Sequence, residues 1–133
     1  MLVAIKVQLP SPVSWESVTY GNGKFVAVTD NSNQSAYSED GINWTSSTMP
    51  TSAYWPSVTY GNGKFVAVAR NSNQAAYSED GINWTSSTMP TSTHWSSVTY
   101  GNGKFVVIAW DSDQSAYSED GINWTSSTMP GSN

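Results

Sequence analysis

"YSEDGINW" occurs three times without a substitution, at residues 37–44, 77–84 and 117–124. Around it the chain repeats with a period of 40: Trp15 to Tyr54, Trp55 to His94, and Trp95 to the end. The first two copies differ at six positions. No segment keeps apolar residues at i, i+3, i+4 and i+7, so the pattern holds no amphipathic helix. Each copy reads instead as four short strands. In the first, "WESVTY" alternates and ends at "GNG", whose Asn-Gly pair supplies the positive φ angles of a tight hairpin. "KFVAVT" is a nearly continuous apolar run, as expected of a strand covered on both faces. The polar "DNSNQ" makes a loop and "SAYS" a third strand; Asp-Gly then turns the chain into a fourth, "INWTSSTM". Pro50 is expected to stop that strand.

A sheet of about 40 residues is too small to hide its faces from water, so the copies must pack on one another. Repeat length and strand count match one blade of a β-propeller. The expected fold is therefore all-β, with three four-stranded antiparallel blades at 15–54, 55–94 and 95–133. Residues 1–14 precede them as an orphan outer strand and linker. "VAIKVQLPSPVSW" aligns with "NWTSSTMPTSAYW", placing Pro10 on Pro50, Leu9 on Met49 and Trp15 on Trp55. Residues 3–9 thus duplicate the outer strand that the chain supplies again at 122–129, one strand too many for three blades. Either the 3–9 strand displaces the 122–129 strand, or the chain is a fragment of a larger propeller, cut or rebuilt; the near-identity of the copies points to recent duplication or engineered repetition.

The motifs "WxSVTYGNGKFV" and "AYSEDGINWT" resemble the repeats of sialidase-type propellers, the BNR or Asp-box family, from Trp15 to the C-terminus. That family's box runs roughly S-x-D-x-G-x-T-W. Ser38, Asp40, Gly41 and Trp44 correspond to it, as do Ser78, Asp80, Gly81, Trp84 and Ser118, Asp120, Gly121, Trp124. The version here is one residue shorter, with Gly directly after Asp and Asn where Thr is usual. These are structural residues: Ser and Asp can hydrogen-bond the turn's own backbone, Gly takes the awkward dihedral, and Trp packs the hairpin on the sheet.

Propellers close with about four to eight blades, and three would leave open edges that seek partners. Head-to-tail association of two copies gives six blades, and a trimer of nine is the larger alternative. The expected partner is the chain itself. A β-trefoil or β-prism is the alternative fold, since three four-stranded repeats of this length suit both. Ricin-type trefoils carry Q-x-W where this chain has I-N-W.

The hairpins are invariant, and the differences collect elsewhere: Glu16/Pro56/Ser96, Thr29/Ala69/Ala109, Asp30/Arg70/Trp110, Asn31/Asn71/Asp111, Asn33/Asn73/Asp113 and Ala53-Tyr54/Thr93-His94. Four alternating strands place these two connections at one end of the sheet, opposite the hairpins. In the resembled family, ligands bind on the face away from the Asp-boxes. That makes Trp15, Trp55, Trp95, Asp30, Arg70, Trp110, Tyr54 and His94 the candidate ligand-binding residues, with saccharides as the ligand class. Drift in exposed loops explains the same variation, and inter-blade packing explains the strand-leading tryptophans.

No catalytic residues, metal or cofactor are expected. The resemblance implies sialidase chemistry only with three arginines gripping a carboxylate, and Arg70 is the one arginine. His94 is the one histidine. Asp111 and Asp113 offer hard oxygens for calcium but lack the Gly and distal Glu of an EF-hand loop. A net charge of −5, with Lys6, Lys24, Lys64, Lys104 and Arg70 as the cations, argues against nucleic acid. "MLVAIKVQLP" is too short an apolar run for a membrane span or a signal peptide. Without cysteine, compartment is not legible from redox chemistry. The expected role is a non-catalytic scaffold that assembles into a ring, with a sugar-binding module as the alternative.

Overall fold

The computed structural model describes residues 13–130. The chain forms strands β1 (Trp15–Gly21), β2 (Lys24–Thr29), β3 (Ser32–Ser38), β4 (Thr45–Ala53), β5 (Ser57–Gly61), β6 (Lys64–Val68), β7 (Arg70–Ser78), β8 (Thr85–Gly101), β9 (Lys104–Ala109), β10 (Gln114–Ser118) and β11 (Thr125–Thr128). One antiparallel sheet has the order β1-β2-β3-β4, and a seven-stranded sheet runs β11-β10-β9-β8-β7-β6-β5. The second sheet is two four-stranded arrays sharing β8. Its first part pairs with β7, and from Trp95 onward it pairs with β9. Residues 3–9 lie outside the described residues. At the other end, β11 pairs with β10 as the outer strand of the third array.

Local chemistry sets the turns. Asn22 and Gly23, with φ of 49° and 76°, connect Gly21 to its partner Lys24. Both central residues are left-handed, the geometry whose twist suits a two-residue hairpin. At the opposite end Asn31, Asn71 and Asp111 take φ of 65°, 57° and 56°. Asn and Asp tolerate that region better than other side chains, which explains why this variable loop exchanges only those two types there.

Two expectations need correction. Pro50 does not stop the fourth strand, because β4 continues to Ala53. The register shifts between the pairs Gln34–Thr48 and Ser32–Ala53, so residues 49–52 bulge out of the ladder. A bulge asks no ladder N–H of proline, and it turns Met49 into the core. Pro90 and Met89 repeat the arrangement within β8. The loop "DNSNQ" is also shorter than expected, since β3 already starts at Ser32. Thr29 Oγ1 donates to the Gln34 carbonyl at 2.9 Å and so ties the turn into the strand end.

The core lies between arrays. Trp55 is fully buried among Val28 and Met49 of the first array and Val58, Ala67, Ala69 and Ala76 of its own. Trp95 is buried in the same way among Val66, Val68 and Met89 of the second array and Val98, Phe105 and Val107 of the third. Neither array could bury these side chains alone, which is why the copies stack.

Candidate functional site

The three invariant turns are built identically. Ser38 Oγ donates to Asp40 Oδ1 at 2.9 Å and accepts the Gly41 N–H at 2.9 Å. Asp40 Oδ1 also accepts the N–H groups of Ile42 and Asn43, while Oδ2 accepts Asn43 Nδ2 at 2.8 Å. The same bonds recur at Ser78–Asp80 and Ser118–Asp120. Gly41, Gly81 and Gly121 carry φ of 76–77°. The N–H donors, that of Asn43 foremost, hold the Asp40 carboxyl well below the usual carboxylate range, and Asn83 and Asn123 do so for Asp80 and Asp120. These carboxylates are committed to the turn. Clefts of about 300, 340 and 420 Å³ beside the turns are lined by Tyr37, Ser38, Glu39, Asp40, Asn43 and Thr45 and by their repeats. Among the described residues no group of three or more His, Cys, Asp or Glu side chains could hold a metal.

At the opposite end, the variable residues gather in pairs. The N–H groups of Asp30, Arg70 and Trp110 donate to the carbonyls of Ser14, Tyr54 and His94. These bonds set each strand-end residue beside a residue that precedes an inner strand. The Arg70 guanidinium lies 4.8 Å from the Tyr54 ring centroid and 3.2 Å from Asp30 Oδ1 of the preceding array. His94 and Trp110 rings are 5.2 Å apart. The structure thus places Asp30, Arg70, Tyr54, His94 and Trp110 at this end, or rim, of the arrays, in an Asp30–Arg70–Tyr54 group and a His94–Trp110 pair.

Trp55 and Trp95 do not belong to that rim. Their candidacy as ligand-binding residues is corrected by their complete burial between arrays. Each indole N–H donates to a carbonyl in the bulge, Trp55 to Thr51 at 3.4 Å and Trp95 to Thr91 at 3.0 Å. Trp15 is half-buried. Trp84 and Trp124 of the invariant turns pack against the same inter-array clusters, and the indole N–H groups of Trp44, Trp84 and Trp124 are buried without an acceptor.

Sequence reasoning did not identify which side chains each open face presents. β1 lies beside β5, and β5 beside β8. Across these two junctions the same contacts recur. Ser17 Oγ accepts the Val58 N–H at 3.3 Å, and Ser57 Oγ accepts the Val98 N–H at 3.1 Å. Thr48 bridges Asn83, and Thr88 bridges Asn123. At the two ends the corresponding residues have no neighbouring array among the described residues. Val58 and Val98 are 5% and 6% exposed, whereas Val18 is 60% exposed. Met49 and Met89 are 2% exposed, and Met129 is 42% exposed. Val28 and Val68 are fully buried, yet Ile108 is exposed. The first array thus opens Val18, Tyr20 and Ile42 to solvent, and the third opens Val106, Ile108, Trp110 and Met129. The signal available in the sequence was the period itself, which pairs equivalent positions of successive arrays so that their burial can be compared.

No family model and no curated sequence matches the chain. Solved structures do. Virginiamycin B lyase from Staphylococcus aureus superposes with a TM-score of 0.82 at 16% identity, over 95% of this chain and 45% of that one. A streptogramin B lyase matches with a TM-score of 0.82 at 11% identity, over 94% and 44%. YCF48 bound to a D1 peptide matches with a TM-score of 0.72 at 16% identity, over 90% and 42%. The fold is that of a partial β-propeller. At such identities the likeness concerns fold alone. The chain spans less than half the length of these neighbours.

Proposed function

We propose that this chain is a non-catalytic propeller part, built from BNR or Asp-box-type repeats, that closes into a ring with further copies of itself. One observation carries the reading: residues buried at both internal junctions are exposed at both ends, where the two faces are complementary by repetition. Burying Val18 alone would contribute roughly 1.5–3 kcal/mol, and Tyr20, Ile42, Val106, Ile108 and Met129 add to it. Of the multiples of three blades, only six falls in the range of about four to eight that propellers use, so two copies are the expected number. Small-angle X-ray scattering tests it: a closed disc of two chains is expected, and a one-chain wedge would contradict it.

A second reading has one specific observation in its favour. Trp110 is 64% exposed beside His94 on the variable rim, and an exposed indole face suits the apolar face of a pyranose. Titration with neutral saccharides, followed by tryptophan fluorescence, tests it. Saturable shifts that Trp110→Ala abolishes support a lectin; their absence leaves the scaffold.

A further inference from the structure

We propose that the ring closes through a glycine socket: Gly101 of one copy receives the Tyr20 ring of a second copy. This inference rests on the ring reading and assigns its contacts. Inside the chain the socket occurs twice. A Cβ on Gly21 would stand 2.1 Å from Tyr60 Cγ, and one on Gly61 would stand 2.0 Å from Tyr100 Cγ. Real side-chain carbons do not approach so closely, so each glycine is the floor on which the next array's tyrosine rests. A Cβ on Gly101, the third member of the series, meets nothing within 4 Å. Tyr20, the member of the tyrosine series with no glycine-bearing array on its open side among the described residues, is 57% exposed. It is already held against Phe25 with ring centroids 4.6 Å apart, as Tyr60 is against Phe65 at 4.7 Å. Socket and plug are therefore both formed before they meet, and a second copy supplies the missing half of each.

Three further contacts follow from the internal junctions. A Cβ on Gly81 would stand 2.7 Å from Val26 Cγ2, and one on Gly121 would stand 2.9 Å from Val66 Cγ2. At Gly41 the valine contact is missing, and the three atoms nearest to an added Cβ all belong to Phe25, at 3.3–3.7 Å. Val106 of one copy thus packs against Gly41 of the other. Ser97 Oγ accepts the Val18 N–H across the seam, continuing the series Ser17–Val58 and Ser57–Val98. Thr128 bridges Asn43, continuing Thr48–Asn83 and Thr88–Asn123. With two copies the arrangement closes on itself and contains two identical seams.

The decisive variant is Gly101→Ala. It adds one carbon to open space in the single chain and blocks the socket only when a tyrosine arrives. Overpacking of this kind weakens a contact about tenfold to a hundredfold, and a two-chain ring carries it twice. The expected result is a dimer for the parent protein and a folded monomer for Gly101→Ala, at protein concentrations where the parent is fully assembled. Tyr20→Ala, which removes the plug from an exposed position, is expected to dissociate the ring as well. Circular dichroism and thermal melting establish that both variants stay folded. If the parent is a dimer and neither variant changes its mass, the socket is wrong while the ring reading stands. If the parent itself is a monomer, both fail.

Discussion

The Tyr60 ring lies so close to Gly21 that an added Cβ would stand 2.1 Å from Tyr60 Cγ. A glycine in the first array is thus fixed by a tyrosine in the second, and Gly61 and Tyr100 repeat the pairing at the next junction. Gly21→Ala and Gly61→Ala are each expected to destabilise the fold by about 1–3 kcal/mol. Urea denaturation checks this, and a midpoint unchanged by either substitution would contradict the packing described.

Val18 and Val58 stand at equivalent positions in successive arrays, one open to solvent and one buried. Val58→Asp places an unpaired carboxylate in the core and is expected to cost about 3–5 kcal/mol, with loss of the cooperative melt. Val18→Asp is expected to leave the single chain folded and to abolish assembly. Equal effects of the two substitutions on folding would show that the first array has a covering that the open-face account lacks.

The committed carboxylates set an acid limit. Asp40, Asp80 and Asp120 are held ionised below their ordinary range by the N–H groups of their own turns. A carboxyl whose folded pKa is depressed contributes stability above its unfolded value, about 3.9, and loses it as pH falls toward the folded value. The melting temperature is therefore expected to be level with respect to these groups between pH 7 and about 5, and to fall below about pH 4. Replacing all three by Asn should lower the neutral-pH melting temperature and flatten the acid limb. A triple variant whose acid limb runs parallel to the parent's would show that other groups govern acid unfolding.

The ion pair between Arg70 and Asp30 joins two arrays at the variable rim with a 3.2 Å contact, and both side chains are about a third exposed. Solvent screens such a pair, so a double-mutant cycle with Arg70→Ala and Asp30→Ala should give a coupling energy below about 1 kcal/mol. The coupling should shrink further in molar salt. A larger, salt-insensitive coupling would mean that the pair is desolvated, as a covered rim would make it.

The elements most legible in the sequence are those whose cause is local. Asn22-Gly23 announces its hairpin because few other pairs accept two successive left-handed residues, and Ser38, Asp40 and Gly41 announce their turn because its hydrogen bonds fall within four residues. The bulge at Pro50 was not legible, since its strand is continued by the distant partner Ser32 and not by its own propensity. The strand-leading tryptophans were ambiguous for a related reason. An indole at a strand start suits both a sugar and a core, and only the neighbouring array decides which. That neighbour also decides burial at Val18 and Met129, whose local sequences match those of the buried Val58 and Met89. The rim was legible in outline, because the variable residues lie where two connections meet. Its internal pairing, with Arg70 reaching back to Asp30, depends on the rotation between arrays.

The central claim is that two open faces of one chain are the halves of a single junction. Absolute mass in solution, by light scattering behind size exclusion, tests it most directly. A species of about twice the 14.4 kDa chain mass is expected, stable on dilution through the micromolar range. A well-folded, strand-rich species of single chain mass would contradict it, because Val18, Tyr20, Ile108 and Met129 would then remain uncovered in the functional protein.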